Sequence, residues 1–232
     1  MYFNPSACIF DLDGLLLDSE RVSRDCWIEA AKEFGQSVGE IYPSLIGKGL
    51  AGCDAILAEH FGDAVLVARM RNRKNELQRQ VLERASIPLK PGARETLELA
   101  KKNGMQIALA TGSVRDSVHE KLRPHDLTRH FHAMVCGDDV ERGKPAPDIF
   151  LAAAARVAVK PEACVVFEDS CAGVEGALAA GMRVVMVPDL VAPLEEYVAR
   201  GVVIISSLFE AHQMYLERAD DGSPSVKTSQ KL

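Results

Sequence analysis

The sequence is short of the features that mark several large protein classes. No segment comes near the ~20 consecutive apolar residues that span a bilayer. The N-terminus, MYFNPSACIF, has no basic stretch leading into an apolar core and a cleavage site, so no secretory signal is expected. Cysteine is present but unpatterned. Cys8, Cys26, Cys53, Cys136, Cys164 and Cys171 form no C-x-x-C pair and no zinc-ligand spacing. Cys8, Cys136 and Cys164 lie in apolar runs, where cysteine acts as a small hydrophobe, and all six are read as reduced thiols of a cytoplasmic protein. Basic charge is not in excess: 27 Lys and Arg against 33 Asp and Glu give a formal charge of -6. That balance argues against nucleic acid or an anionic membrane as the main partner, but one local cationic site suffices for a phosphate. The six histidines make no spaced cluster and are expected at the surface or in caps, and no internal repeat is visible.

What the 232 residues do contain is ordinary for a globular protein, 47% apolar and 26% charged. The organising stretch is ACIFDLDGLLLDSE, residues 7–20. Ala7–Phe10 is a short apolar run of the kind a buried parallel strand uses, and it runs directly into Asp11-Leu12-Asp13-Gly14. Side chains alternate along extended backbone, so Asp11 and Asp13 point to one side. Two carboxylates converging at the end of a buried strand are costly unless a cation sits with them.

After Glu20 the pattern turns helical, with Val22, Trp27, Ala30, Ala31 and Phe34 on one face. A loop over 42–52, a short helix over 53–61 and a charged helix over 63–85 follow. Far more chain separates the first two strands than the dozen or so residues a βαβ crossover needs. The excess is helical, which predicts an inserted all-helical cap over 16–87. From Pro88 the chain alternates: helix 93–103, strand 106–110, helix 114–122, strand HAMVCG, helix 149–157, strand CVVF, helix 173–180, strand RVVMV, strand VVII and helix 208–216. Alternation of this kind implies an α/β fold, a Rossmann-like parallel sheet covered on both faces. The expected division is a core of 1–15 and 88–218, the cap, and a polar disordered tail over 219–232.

Four polar clusters follow apolar strands: Asp11 with Asp13, Thr111 with Ser113, Lys144 one loop beyond its strand, and Glu168 with Asp169. Taken singly, each has a simpler explanation, such as a helix N-cap or a surface turn. Parallel strands, however, bring all four to one sheet edge, where α/β folds bind ligands. Asp11, Asp13, Glu168 and Asp169 are hard oxygen donors suited to Mg2+. The Thr111-Gly112-Ser113 stretch offers hydroxyls and backbone N–H groups at a helix start, and Lys144 a point cation. The combination describes phosphoryl transfer.

Together, DLDGLLLDSE (11–20), ATGS (110–113), GKPAPDIF (143–150) and FEDSCAGVEGALAAGM (167–182) resemble the four motifs of the haloacid dehalogenase-like hydrolases. The likeness is nearest to the sugar-phosphate phosphatases and β-phosphoglucomutases, and extends to about residue 217. It implies Asp11 as nucleophile forming an aspartyl-phosphate, and Asp13 as the acid and base at the leaving oxygen and the water. It also implies phosphate binding by Thr111, Gly112, Ser113 and Lys144. Mg2+ would be held by Asp11, the Asp13 carbonyl and Asp169, with Glu168 a ligand or its neighbour.

Two departures weigh against a mutase, which must hold a second phosphate. Val22 falls about where the mutases carry a hinge His, and Leu50 about where they carry a phosphate-binding Arg, with Lys48 a nearby substitute. Asp13 itself departs from true dehalogenases. A receiver-type phosphoaspartate module shares the acidic site but has neither an Asp two residues on nor the insertion. The expectation is a Mg2+-dependent phosphatase of a small phosphomonoester, monomeric or weakly homodimeric, with no nucleic acid and no membrane as partner; the alternative is a β-phosphoglucomutase-like isomerase.

Overall fold

The computed structural model describes residues 5–212. The end of the helix expected over 208–216 and the segment 219–232 lie outside the described residues. Within them the six strands are β1 (Ala7–Phe10), β2 (Gln106–Ala110), β3 (Ala133–Val135), β4 (Cys164–Glu168), β5 (Arg183–Met186) and β6 (Val203–Ile204). They form one sheet in the order β3-β2-β1-β4-β5-β6, parallel throughout. β1 lies at the centre, with Ala7 in register with Gln106 on one side and Cys164 on the other. The chain therefore builds outward one way from β1 and then restarts at β4 on its other side, and that reversal opens the crevice in which α/β folds bind ligands.

Three helices, α1 (Ser19–Glu33), α2 (Leu50–Phe61) and α3 (Ala64–Arg84), follow β1 before the chain returns to the sheet at α4. Four more, α4 (Ala93–Lys102), α5 (Arg115–Leu122), α6 (Asp148–Arg156) and α7 (Cys171–Ala179), cover the sheet. Alternation in β1 decides which helices meet which face. Cys8 and Phe10 pack with Leu97 of α4 and Val118 of α5, while Ala7 and Ile9 pack with Phe150 of α6 and Val174 of α7. Phe10 stacks on Phe167 of the neighbouring strand, with ring centroids 4.8 Å apart. Each such fully buried aromatic contributes roughly 2–3 kcal/mol of apolar burial.

The helices α1 to α3 carry their own apolar cluster, in which Trp27, Tyr42, Leu57 and Met70 are buried together. Leu190 and Val191, just past β5, pack against it. Leu16, Leu17 and Ile87, at the two ends of the insertion, pack instead in the cluster on the sheet. α3 starts where Asp63 Oδ1 accepts the backbone N–H groups of Val65 and Leu66, both at 2.9 Å.

Element edges shift by a few residues from the sequence expectation. The helix expected from Cys53 begins at Leu50, because Gly49 adopts extended backbone at its N-cap and its carbonyl takes the Cys53 N–H at 3.0 Å. His130, expected at the surface or in a cap, is instead buried in a 3-10 turn with neither ring nitrogen partnered. All six cysteines are free thiols.

Candidate active site

The sheet's carboxyl edge is built by strands that continue one residue too far. Asp11 N–H donates to the Phe167 carbonyl at 3.1 Å, and Thr111 N–H to that of Val135 at 3.1 Å. Backbone ladders thus fix Asp11 and Thr111 at the ends of β1 and β2. Both are buried, at 5% and 1% exposure. Glu168 closes β4 and is fully buried.

Lys144 joins two of these carboxylates. Its Nζ lies 2.5 Å from Asp11 Oδ1 and 2.5 Å from Glu168 Oε1. The other Glu168 oxygen accepts three donors, the backbone N–H groups of Asp169 and Ser170 and the Ser170 hydroxyl. Ser170 in turn caps α7 by accepting the Gly173 N–H at 3.1 Å. Gly173 is required for this arrangement: a Cβ there would sit on the Glu168 carboxylate. Glu168 is thus immobilised as a support for Lys144.

Among the described residues, the buried Asp169 Oδ2 has no hydrogen-bond partner. Oxygen atoms of Asp11, Glu168 and Asp169 lie within 4.8 Å of one another. Three buried carboxylates face one ammonium, and burial, with mutual repulsion, raises Asp11 to about 8 and Asp169 well above its ordinary value. Burial works to lower the Lys144 ammonium, but Asp11 and Glu168 outweigh it and raise it. A cluster with this charge deficit and an orphaned oxygen fits a hard divalent cation such as Mg2+.

Asp13 is treated differently. Its Oδ1 accepts from Ser19 Oγ at 2.6 Å and Lys121 Nζ at 2.6 Å, and its Oδ2 from Ser113 Oγ at 2.7 Å. Burial alone would raise its pKa, but Lys121 and the two hydroxyls hold it at about 2. Two carboxylates two residues apart are therefore shifted in opposite directions, Asp11 upward by burial and its carboxylate neighbours, Asp13 downward by Lys121 and two hydroxyls. Ser113 N–H donates to Thr111 Oγ1 at 3.2 Å, which folds the 111–113 turn toward the same side.

These residues open onto a cavity of about 620 Å³ between the sheet edge and the helices α1 to α3. Asp11, Asp13, Thr111, Gly112 and Ser113 line it, with Lys48 and Leu50 from the segment before β2; from α1 it is lined by Glu20, Ser23 and Trp27, and not by Val22. The insertion touches the sheet side closely. Gly47 has φ +74° and lies against Ser170, so that any side chain would meet the Ser170 hydroxyl.

Three participants escaped the sequence reading. Lys121 and Ser19 contact Asp13, and Glu20 accepts a hydrogen bond from Tyr42 at 2.8 Å in the cavity wall. Ser19 and Glu20 lie inside the DLDGLLLDSE motif, whereas Lys121 sits on a helix face with no local signal.

Against known proteins, the profile of the haloacid dehalogenase-like hydrolases matches residues 5–181. The chain belongs to this family. Its relatives include the "Phosphorylated carbohydrates phosphatase" of Thermotoga maritima, 36% identical over 182 residues, 76% of this chain and 82% of that one. The "Probable pseudouridine-5'-phosphatase" of Drosophila melanogaster is 39% identical over 193 residues, 78% of this chain and 81% of that one. Among solved structures, CbbY from Rhodobacter sphaeroides in complex with phosphate aligns with a TM-score of 0.76 at 27% identity, covering 89% of this chain and 96% of that one. The haloacid dehalogenase-like chain described here thus shares its fold, over 89% of its length, with a protein solved in complex with phosphate. Among the described residues no helix is long and apolar enough to cross a membrane.

Proposed function

We propose that the chain is a Mg2+-dependent phosphatase that hydrolyses a small phosphomonoester through an aspartyl-phosphate, with residues 16–87 as its cap. The observation that carries this reading is the division of labour between Asp11 and Asp13. Asp11 offers an oxygen held only by Lys144 beside an acidic cluster, while Asp13 is held by hydroxyls and a separate lysine.

In this reading Asp11 attacks phosphorus and the leaving oxygen departs with a proton from Asp13. Asp13 rests as a carboxylate, so the proton comes in with the substrate phosphate, whose second pKa is about 6. Asp13 then takes a proton from the water that attacks the aspartyl-phosphate. The Thr111 hydroxyl, the Gly112 N–H and Lys144 hold the phosphoryl oxygens, with Ser113 N–H orienting the Thr111 hydroxyl. Asp11, the Asp13 carbonyl, Glu168 and Asp169 are the residues that would hold Mg2+, which when bound offsets the repulsion between nucleophile and phosphate. The helices over the cavity exclude water from the site. The names of the relatives support a phosphorylated sugar or nucleoside as substrate.

The test is phosphate release from hexose phosphates, phosphogluconate, phosphoglycolate and nucleoside monophosphates, with Mg2+ and with EDTA. Metal-dependent release from one class supports the reading. Isomerisation of β-glucose 1-phosphate with a bisphosphate activator, without release, would establish the mutase instead.

A further inference from the structure

Lys121 belongs to none of the polar clusters that follow the strands, yet its ammonium is as closely engaged as that of Lys144. It comes from the last turn of α5, and its side chain is 5% exposed. Its Nζ donates to Asp13 Oδ1 at 2.6 Å and to Ser113 Oγ at 3.2 Å. Ser113 Oγ donates in turn to Asp13 Oδ2 at 2.7 Å, and Ser19 Oγ to Oδ1 at 2.6 Å. Both carboxylate oxygens are therefore held, and Lys121 ties the Asp13 carboxylate to the Ser113 hydroxyl that faces it. An aspartate has only two side-chain torsions, and this triangle fixes both against the cavity wall. Of the three donors to the Asp13 carboxylate, Lys121 is the one that also carries charge.

We propose that Lys121 is the positioning residue for proton transfer at the leaving oxygen, holding the Asp13 carboxyl where that oxygen departs. The proposal rests on the phosphatase reading of the same site. As Asp11 bonds to phosphorus, the bond from phosphorus to the leaving oxygen breaks and its electron pair stays on that oxygen. An alkoxide takes the proton that Asp13 relays from the bound phosphate monoanion, whereas a nitrophenolate is stable as an anion and needs none. Misplacing Asp13 therefore penalises poor leaving groups and spares good ones. A lysine that merely fills and neutralises a buried site would, when removed, penalise all esters alike.

The experiment uses the full chain with Mg2+ and compares wild type, Lys121→Met and Lys121→Arg. The readout is kcat/KM, which covers only the steps through leaving-group departure, over a series running from ethyl and trifluoroethyl to phenyl and p-nitrophenyl phosphate. For Lys121→Met the expected loss is about a hundredfold on the alkyl esters, the lower part of the range for general acid catalysis, and about threefold or less on the nitrophenyl ester. The plot against leaving-group pKa steepens accordingly. Lys121→Arg, which keeps the charge, recovers about tenfold on the alkyl esters and guards against a folding defect in Lys121→Met, checked by thermal melting. An equal loss on all esters, or no loss on any, overturns the role of Lys121 while leaving the phosphatase reading in place. A wild type that releases phosphate from none overturns both.

Discussion

Arg21 reaches across 168 positions of sequence to Asp189, its Nη1 lying 2.8 Å from Asp189 Oδ1. Lys90 Nζ approaches the same oxygen at 2.7 Å, and Asp18 accepts from Arg21 at 2.6 Å. Arg21 and Asp18 lie at the outgoing end of the helical insertion, Lys90 at its return, and Asp189 on the loop after β5. One buried carboxylate therefore ties together the two connections between sheet and insertion.

The partners differ in exposure, and so should the cost of removing them. The Asp189 side chain is 2% exposed, that of Lys90 19% and that of Arg21 44%. Asp189→Ala leaves two cations without their shared partner and is expected to cost about 2–3 kcal/mol. Arg21→Ala removes a mostly solvated group and is expected to cost about 1 kcal/mol or less. Urea unfolding of the two variants checks the order, and equal costs would refute this account of the contact.

Asp11→Asn is expected to reduce turnover by at least about a thousandfold, since nothing else supplies the nucleophile. In EDTA the same variant is expected to unfold later than the wild type at neutral pH. Burial raises the Asp11 pKa from 3.8 to about 8, so the folded state binds a proton that the unfolded state has released. That difference destabilises the wild type progressively as pH rises from about 4 to 8, and an amide does not titrate. Melting curves across that range should diverge; parallel curves would mean that Asp11 is not held in a charge-poor environment.

Much of this was legible because strand and motif coincide. β1, β2 and β4 are short apolar runs that end directly in Asp11, Thr111 and Glu168, so locating the strands also located the site. The pairing of donors with acceptors was less accessible. Lys144 reads as a site cation, but which carboxylates it joins does not, and Lys121 reads as one of several charges on its helix. Only the burial of Val118 and Leu122 in the sheet's core cluster fixes the helix that brings Lys121 to Asp13. The burial of His130 was hidden for the same reason, since the turn that contains it has no period from which a face could be read.

The cavity wall contributes a second pH effect, of the same sign at lower pH. Burial, with repulsion from Asp13, raises Glu20 from 4.5 to about 7, against the hydrogen bond from Tyr42. Between those values the folded protein holds a proton that the unfolded chain has lost, so stability falls as pH rises. At about 1.4 kcal/mol per unit the loss amounts to at most about 3.5 kcal/mol. Glu20→Gln removes it, and the stability of the variant relative to the wild type should grow over that interval and level off above pH 7. A difference that does not change with pH would mean that Glu20 ionises freely in the fold.

Binding of Mg2+ is expected to show in stability, independently of turnover. A ligand that binds only the folded state stabilises it by RT ln(1 + [L]/Kd), about 2.7 kcal/mol at a hundredfold excess over Kd. The buried carboxylates of Asp11, Glu168 and Asp169 gain a partner, and the orphaned Asp169 Oδ2 gains its only one. Thermal melts in millimolar Mg2+ should therefore shift upward for the wild type. Asp169→Asn replaces that carboxylate by an amide of the same shape; it should melt higher than the wild type in EDTA, having lost a repulsive charge, and respond weakly to the metal. A full Mg2+ shift in the variant would exclude Asp169 as a ligand.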